Sequence, residues 1–315
     1  MQVVRDGAVD ALHAGHIAVV DPAGRLLAAY GDPLVECYPR SALKPFQAAA
    51  ALALCGMARP PSNEIAIMTA SHVGALVHQD AVTRVLDRAG MTAGALGCPA
   101  ALPVDPAQLR QHPPPTRLAH NCSGKHAGFL LAAVRARDDP ARYLAQDAPV
   151  QTEVRSWLRE TTGAEPAGPG VDGCGAPAWR LPLAALARGF ARLAAADDAV
   201  LAVVADAMRT HPVLVGGDGI VDTELMRAEE RLIVKRGAEG VLGVAVRGSS
   251  GPLGVAIKVS DGGARAVGPV AVAVVERLGL RGTAALRRPP VLGGGAEHGG
   301  IEVAAGLRDS LATLG

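Results

Sequence analysis

Residues 15–30 of the sequence read GHIAVVDPAGRLLAAY. The apolar run at 15–20 has the length and composition of a β-strand, and Arg25–Tyr30 resumes the same pattern. Between them, Asp21-Pro22-Ala23-Gly24 is a strong turn signal. Two apolar runs joined by a short turn predict a β-hairpin, so we expect a sheet that is at least partly antiparallel.

The middle of the sequence is predicted to be mainly helical. An Ala- and Leu-rich run from Ser41 ends at Cys55, with Gly56 as its C-cap, and an amphipathic helix over 78–90 is stopped by Gly90. Further helices are predicted over 124–136, 150–162, 183–193, 199–209 and 267–278. Irregular segments are predicted at the Pro-rich connector 98–117, the Gly- and Pro-rich loop 165–175 and the end 281–315.

Strand-like runs return near the end of the chain, at 231–234, 240–247 and 253–260. Strands at both ends with helices between them favour an α/β fold of the α+β type. We expect one antiparallel sheet, built from about residues 10–35 and 230–262 and flanked by helices. The chain is predicted to form a single domain over 1–315, with a flexible tail at about 281–315.

Composition excludes several classes of protein. The 315 residues are 49% hydrophobic, which allows a sizeable core, and carry a formal net charge of +1. Without a clustered basic block, nucleic acid is not expected as a partner. No apolar stretch is long enough to span a membrane, and the first residues lack the pattern of a signal peptide. We therefore expect a cytoplasmic protein without a membrane partner.

Ser41-Ala42-Leu43-Lys44 is the first motif that could carry chemistry. Residues three apart share one face of a helix. A lysine whose pKa is lowered by burial or by another cation can accept a serine proton. Pro45 tolerates only the first turn of a helix, so the helix must begin near Ser41. On its own the motif is more often an N-cap serine followed by a surface lysine.

Two further polar strings follow. Thr69–Gly74 contains Ser71 and His72, which could transfer protons, although a loop serine that satisfies backbone groups is the simpler interpretation. Later, Lys235-Arg236-Gly237 lies between strand-like segments, where a lysine could bind a carboxylate or simply belong to a charged turn. Lys258 is a competing lysine, because it lies in an apolar strand where lysine is unexpected.

The five cysteines are widely spread and odd in number, which is not typical of a disulfide framework. Cys122 lies in the polar string 120–128 at a helix start, where it could be a nucleophile or a metal ligand. Cys174 lies among glycines in the string 170–177. The two could meet at a zinc ion, with His120, His126 or Lys125 as the third ligand. Two unrelated thiols remain the alternative.

The order of these strings, rather than any one of them, carries a resemblance. In sequence order they are Ser41-x-x-Lys44-Pro45-Phe46-Gln47, Ala70-Ser71-His72, Asn121-Cys122-Ser123-Gly124-Lys125-His126, Val171-Asp172-Gly173-Cys174-Gly175, Asp222-Thr223-Glu224-Leu225-Met226, Lys235-x-Gly237-Ala238-Glu239-Gly240 and Lys258-x-x-Asp261-Gly262. Over roughly residues 10–280 this set resembles the asparaginase II family, the Rhizobium-type or class 3 asparaginases. That family resembles serine β-lactamases, penicillin-binding proteins and serine glutaminases in fold.

The resemblance implies a reaction and a set of roles. The reaction would convert L-asparagine to L-aspartate and ammonia, and the chain would form a homodimer. Ser41 would be the nucleophile and Lys44 its general base, with Ser71 and Lys235 as a second Ser-Lys pair. Three side chains would bind one Zn²⁺ per chain, namely Cys122, Lys125 and Cys174. Three others would contact the substrate, namely Arg40, Asn121 and Asp172, of which Asp172 would organise substrate or metal.

Arg236 departs from the pattern of related folds, which often place Ser, Thr or Gly between the lysine and the glycine of the K-x-G element. This departure leaves the contacts with the substrate carboxylate open. Two other functions also stay open. One is a related serine amidohydrolase, such as a glutaminase or an enzyme acting on a β-lactam or a D-Ala peptide. The other is a non-catalytic protein of the same fold, held together by a structural zinc ion.

Overall fold

The computed structural model of the chain describes residues 1–56 and 59–311. Within these residues every strand pair is antiparallel. The strands are β1 (Gln2–Arg5), β2 (Ala8–Leu12), β3 (Gly15–Val20), β4 (Leu26–Tyr30), β5 (Glu36–Cys37), β6 (Ala167–Val171), β7 (Pro177–Pro182), β8 (Leu232–Arg236), β9 (Val241–Gly248), β10 (Gly251–Val259), β11 (Pro290–Gly293) and β12 (Ala296–Glu302). The helices are α1 (Lys44–Cys55), α2 (Ser62–Met68), α3 (Leu76–Arg88), α4 (Pro106–Leu109), α5 (Ser123–Arg135), α6 (Pro149–Thr162), α7 (Leu183–Ala195), α8 (Ala199–Thr210), α9 (Pro212–Val215), α10 (Val221–Ala228), α11 (Val267–Arg277), α12 (Ala284–Arg287) and α13 (Ala305–Leu311).

The chain divides into two compact units. The sheet unit comprises Met1–Ala42, Leu181–Ala195 and Glu224–Gly315. The helical unit comprises Leu43–Arg180 and Ala196–Thr223. The expectation of a single domain over 1–315 stays a prediction.

A five-stranded antiparallel sheet forms the core of the sheet unit, in the order β4-β3-β10-β9-β8. It joins the N-terminal hairpin to the C-terminal strands, as the sequence predicted, because β3 pairs with β10 from Val20↔Gly254 to Gly15↔Val259. The central strands β9 and β10 are largely buried, since helices pack against them. The α+β type of fold, with helices flanking an antiparallel sheet, is therefore confirmed.

Two strand glycines allow α7 to approach this sheet closely. A Cβ on Gly243 would lie 1.9 Å from the ring of Phe190, and one on Gly254 would lie 1.8 Å from the carbonyl oxygen of Ala187. No side chain fits at either position unless α7 moves away. Glycine in a strand interior often marks such a close approach of another backbone.

The expectation of an irregular tail is wrong for most of its length. Strands β11 and β12 lie within it and form a second sheet, in the order β11-β12-β1-β2. Gly294 and Gly295 adopt φ values of 58° and 85°, as a two-residue hairpin turn requires. The glycines that suggested flexibility therefore make the turn of a hairpin. Residues 312–315 of the predicted tail lie outside the described residues.

The helical unit is arranged around α1, whose residues from Lys44 to Leu52 are all buried. Helices α5, α6 and α8 pack against it. The helices predicted from the sequence are confirmed, with boundaries within about one turn of those expected. One loop prediction is wrong in part, because Ala167–Val171 forms strand β6, paired with β7 around a bulge. None of the helices among the described residues is long and apolar enough to cross a membrane.

Glu229, directly after α10, is a buried carboxylate in the sheet unit. Its side chain is 2% exposed. It accepts hydrogen bonds from the Arg231 guanidinium at 2.9 Å and from the backbone N–H of Arg281 at 3.1 Å. The bonds from Arg231 are the main cause that lowers the pKa of Glu229 to about 2. The carboxylate thus links the start of β8 to the segment that follows α11.

We expect Glu229→Gln to destabilise the protein at neutral pH. The lowered pKa means that the ionised form stabilises the fold above the unfolded pKa of about 4.5 and that this contribution disappears as the pH falls towards 2. The shift corresponds to at most about 3 kcal/mol, and solvent screening of the exposed arginines reduces it. Thermal unfolding at several pH values measures this, with the exposed neighbour Glu230→Gln as control. A loss of stability that is equal in the two variants, or independent of pH, would contradict the prediction.

Candidate active site

Lys44 is a buried ammonium at the first residue of α1. A 3₁₀ turn over Arg40–Leu43 leads directly into this helix. Pro45 occupies the first turn, where its missing N–H leaves no bond unmade. The side chain of Lys44 is therefore directed into the core of the helical unit, and the residue is only 1% exposed.

Three oxygen atoms surround the Lys44 ammonium. Its Nζ donates to the carbonyl oxygen of Ala70, to Ser71 Oγ at 3.0 Å and to the carbonyl oxygen of Asn121 at 3.3 Å. Burial is the main cause that lowers the pKa of Lys44, and the charge of Lys125 acts in the same direction, while the thiolate charge of Cys122 opposes both. A lysine with a lowered pKa gives up its proton more readily than an exposed lysine and can act as a base.

The donor count around Lys44 shows which neighbour can exchange a proton with it. An ammonium has three donors, for which the three oxygen atoms and the Cys122 thiol are acceptors. A neutral amine has two donors and one lone pair, so it can also accept a hydrogen bond. The carbonyl oxygens of Ala70 and Asn121 only accept, whereas the hydroxyl of Ser71 also donates. Lys44 and Ser71 can therefore exchange a proton.

The loop 70–74, between α2 and α3, holds Ser71 in place. The backbone N–H of Ser71 donates to the carbonyl of Val215 at 2.9 Å, and that of Val73 donates to the carbonyl of Gly216 at 3.0 Å. Ser71 is buried as well. These bonds pair the loop with the end of α9 like a short piece of sheet, so the hydroxyl has a fixed position.

The N-terminus of α5 contributes Cys122 and Lys125 to the same region. Gly124 allows the approach, because a Cβ there would lie 2.0 Å from the carbonyl oxygen of Ile67 in α2. Lys125 Nζ donates to Cys174 Sγ at 3.1 Å. Cys174 is held in a turn in which the Gly175 N–H donates to the carbonyl of Asp172 at 2.8 Å. Both thiols and the amine are buried.

Cys122 and Cys174 form a hydrogen-bonded thiol pair next to two ammonium groups. The bond from Cys174, and then the charges of Lys44 and Lys125, hold the pKa of Cys122 well below its usual range. The same bond, together with burial, raises the pKa of Cys174. Burial disfavours the ammonium of Lys125, but thiolate charge on the pair outweighs this and raises its pKa. The pair thus holds one negative charge beside two positive ones.

The chemistry of this donor set fits a soft metal ion, because two thiols and one amine converge in a buried place. No group of three or more His, Cys, Asp and Glu side chains in residues 1–56 and 59–311 is arranged to hold a metal. His120 Nδ1 accepts from the N–H of Cys122 at 3.0 Å, and His126 Nδ1 bonds the hydroxyl of Tyr143 at 2.6 Å. Among the third ligands considered from the sequence, Lys125 bonds Cys174 and His120 bonds Cys122.

Asn121 and Asp172 are the two residues of the helical unit that are expected to contact the substrate. Their side chains are more exposed to solvent than those of Lys44, Lys125 and the two thiols. Asp172 is half-buried, and its Oδ1 accepts the N–H of Gly173 at 2.8 Å. The Asp172 charge also helps to hold the Lys125 ammonium in its charged form. Asn121 is exposed, and its carbonyl group rather than its side chain bonds Lys44. Their contacts with a substrate stay predictions.

Arg40, Ser41 and Lys235 belong to the sheet unit. Ser41 is half-buried in the 3₁₀ turn, and Arg40 adopts a φ of 54°, which is uncommon for a residue with a side chain. Lys235 is fully buried in β8 opposite Gly243, and its Nζ donates to the carbonyl of Arg236 at 3.0 Å. The sheet unit therefore contains a buried lysine as well as the predicted nucleophile.

Gly237 explains the glycine of the K-x-G element. A Cβ there would lie 2.2 Å from the carbonyl oxygen of Pro39, and this same oxygen accepts the N–H of Ala42 at 3.0 Å. The glycine thus lets the turn that carries Ser41 lie against the end of the strand that carries Lys235. The motif was visible in the sequence, but this close approach was not.

Lys258, the competing lysine, has a different setting. It is half-exposed, and its Nζ donates to the carbonyl oxygens of Glu239 at 2.6 Å and Val259 at 2.7 Å. These bonds close the turn between β8 and β9 against β10. Lys235 is thus buried and Lys258 is not, and the assignment of the second catalytic lysine stays a prediction.

Comparison with known proteins identifies the family of the chain. The sequence model described as L-asparaginase II matches residues 1–303. None of the curated proteins matches the chain significantly. Among solved structures, a Bacillus glutaminase crystallised with 4.3 M NaCl is 14% identical, with a TM-score of 0.35 over 78% of this chain and 83% of its own. The protein Mglu is 16% identical, with a TM-score of 0.36 over 84% of this chain and 67% of its own.

The class of protein follows from the family match, which covers nearly the whole chain. The protein is an amidohydrolase. More specifically, the chain belongs to the L-asparaginase II family. The resemblance noted from the order of the sequence motifs is thereby confirmed.

We expect the metal-free, reduced protein to contain one thiolate at neutral pH. Because the pKa of Cys122 is lowered, the ultraviolet absorbance of a thiolate should be present at pH values at which an ordinary thiol is still protonated. Cys122→Ser should abolish this signal. Cys55→Ser is the matched control, because burial raises the pKa of Cys55 to about 11, so that thiol is protonated at neutral pH. A titration that is identical in wild type and Cys122→Ser would contradict the charge distribution described for this site.

Proposed function

We propose that the protein hydrolyses L-asparagine to L-aspartate and ammonia through an acyl-enzyme on Ser41. The observation that carries the proposal is the buried Lys44, which follows Ser41 by three residues and bonds Ser71 Oγ at 3.0 Å. In a member of the L-asparaginase II family, such a group is best explained as a base. A small-molecule amide is the substrate class that fits this chemistry.

The proposed reaction has two steps. Ser41 Oγ attacks the side-chain amide carbon, and the serine proton passes to neutral Lys44. The Lys44 ammonium then passes a proton through Ser71 to the amide nitrogen as the C–N bond breaks and ammonia leaves, so Ser71 keeps its hydroxyl. Water then attacks the β-aspartyl ester, and proton transfers in the reverse direction release aspartate and the Ser41 hydroxyl. The sum is one amide and one water converted to one acid and one ammonia.

Lys235 would act by its charge. A second ammonium near Lys44 favours the neutral form of Lys44, in the same direction as burial. The complete burial of Lys235 supports this role, because a charge acts over longer distances where water is excluded. In this proposal Arg40, Asn121 and Asp172 orient the substrate.

Replacement of the nucleophile tests the proposal directly. Ser41→Ala should lower kcat for asparagine by about 10⁴-fold or more, because loss of a nucleophile removes the covalent route. Release of ammonia measures this, across a panel that contains asparagine, glutamine, a D-Ala peptide and a β-lactam. Ser310→Ala, a substitution at the surface of α13, is the control. Near-normal turnover by Ser41→Ala would overturn the nucleophile, and turnover of a different amide alone would overturn the substrate.

Zinc is the second part of the proposal. Cys122, Lys125 and Cys174 would hold one Zn²⁺ per chain, and the ion would supply a Lewis acid that orients the substrate. Cys122 already holds a negative charge, but Lys125 and Cys174 must lose their protons to bind the ion, so zinc affinity should rise with pH. The raised pKa values of Lys125 and Cys174 make this dependence steeper.

Elemental analysis of the purified protein measures the zinc content. We expect about one zinc per chain in wild type and none in Cys174→Ala, since two remaining donors hold zinc poorly. Cys55→Ser should keep the metal, because Cys55 is a buried thiol at the end of α1. A reduced wild-type protein without zinc would contradict this part of the proposal.

The homodimer and the cytoplasmic location implied by the resemblance also stay proposals. Sedimentation equilibrium of the purified chain distinguishes a dimer from a monomer by mass. Fractionation of cells that express the tagged protein tests the location.

A further inference from the structure

His72 is a buried histidine next to Ser71 for which the proposed mechanism has no role. The residue is 1% exposed, and both of its ring nitrogens have partners. The backbone N–H of Gly74 lies 3.1 Å from Nδ1, and Ser123 Oγ lies 2.9 Å from Nε2. The imidazole thus contacts its own loop on one side and the first residue of α5 on the other.

A chain of hydrogen bonds runs from Gly74 through His72 and Ser123 to Leu118. The backbone groups at its two ends determine where each proton lies. The N–H of Gly74 can only donate, so Nδ1 must be the acceptor. At the other end, the carbonyl of Leu118 can only accept, and Ser123 Oγ donates to it at 2.9 Å. Ser123 Oγ therefore accepts from Nε2–H. His72 is the neutral Nε2–H tautomer, and burial and the stacked ring of His78, 5.0 Å away, disfavour its protonation.

This chain of bonds joins the same two segments that Lys44 joins. Lys44 connects Ala70 and Ser71 to the carbonyl of Asn121, which lies between Leu118 and Ser123 in sequence. Lys44 and His72 therefore connect the loop 70–74 to the turn at 118–123 at two separate points.

We propose that His72 is a positioning residue that keeps Ser71 in line with the turn at 118–123. The inference rests on the proposed function, because it assigns His72 to the same Ser-Lys chemistry. His72 contacts no reacting atom in it. Its contribution is to hold Ser71 Oγ within hydrogen-bonding distance of Lys44 Nζ, where a displacement of about 1 Å can lower the rate about 10²-fold.

Two substitutions at His72 separate this role from simple core packing. His72→Asn keeps an acceptor near the position of Nδ1 and loses the bond to Ser123, whereas His72→Gln can place an amide N–H near the position of Nε2. We expect His72→Asn to lower kcat by about 10²-fold with little change in KM. His72→Gln should recover most of that loss. Equal loss of kcat in the two variants, or none in His72→Asn, would overturn the proposal.

His78→Gln is the matched control. His78 is also 1% exposed and stacks on His72, but its Nε2 bonds the carbonyl of Val213 at 2.9 Å, away from α5. The substitution should reduce the thermal midpoint about as much as His72→Asn does and leave kcat near that of wild type. A loss of kcat in His78→Gln as large as that in His72→Asn would show that disturbed packing explains the effect, which would overturn the proposal.

A spectroscopic measurement tests the link without any activity. In ¹⁵N-labelled wild type, the His72 ring should show the neutral Nε2–H pattern throughout the neutral pH range. Hydrogen exchange of the amides of Ser71 and Val73, which bond Val215 and Gly216 and not the side chain at position 72, should be faster in His72→Asn than in His72→Gln. An Nδ1–H or charged ring, or equal exchange, would overturn the link. Failure of wild type to hydrolyse any amide would instead overturn the proposed function, and the link would be judged by these two measurements.

Discussion

The buried charge of Lys44 is the constraint on which the rest of the helical unit depends. An ammonium out of contact with water is costly unless every donor finds an acceptor. Here the acceptors come from the loop after α2 and from the turn before α5, so these segments must meet at the N-terminus of α1. Gly124 allows that meeting, because it brings the backbone of α5 close to that of α2. The position of Ser71 thus follows from the need to satisfy a charge.

Charge balance explains the remaining polar residues of this unit. Two lysines are buried near a pair of thiols, and a shared thiolate offsets part of the positive charge. The nearby histidines stay neutral, since burial and the lysine charges hold the pKa values of His72 and His126 well below their usual range. A neutral histidine offers one donor and one acceptor, which suits it to link backbone groups.

Much of the fold could be predicted from the sequence, and the errors share one physical cause. The hairpin at 15–30 and the long helices were recognisable because local periodicity specifies them. The second sheet was missed because β11 and β12 are short, rich in glycine and stabilised by pairing with β1 near the other end of the chain. Strand β6 was missed in the same way, since its Gly and Pro residues favour a loop and only pairing with β7 makes it a strand. Pairing between segments that are far apart in the sequence produces little recognisable pattern in the sequence of either segment.

The sequence by itself determined the residue types of the chemistry and their order along the chain: Ser41 and Lys44, Ser71, the cysteines around Lys125, and Lys235 before Gly237. That order was sufficient to indicate the family. The tertiary structure alone decided which oxygen atoms surround Lys44, which tautomer His72 adopts and why Gly237 must lack a side chain. These features depend on backbone N–H and carbonyl groups, which every residue has, so only their position in space distinguishes them.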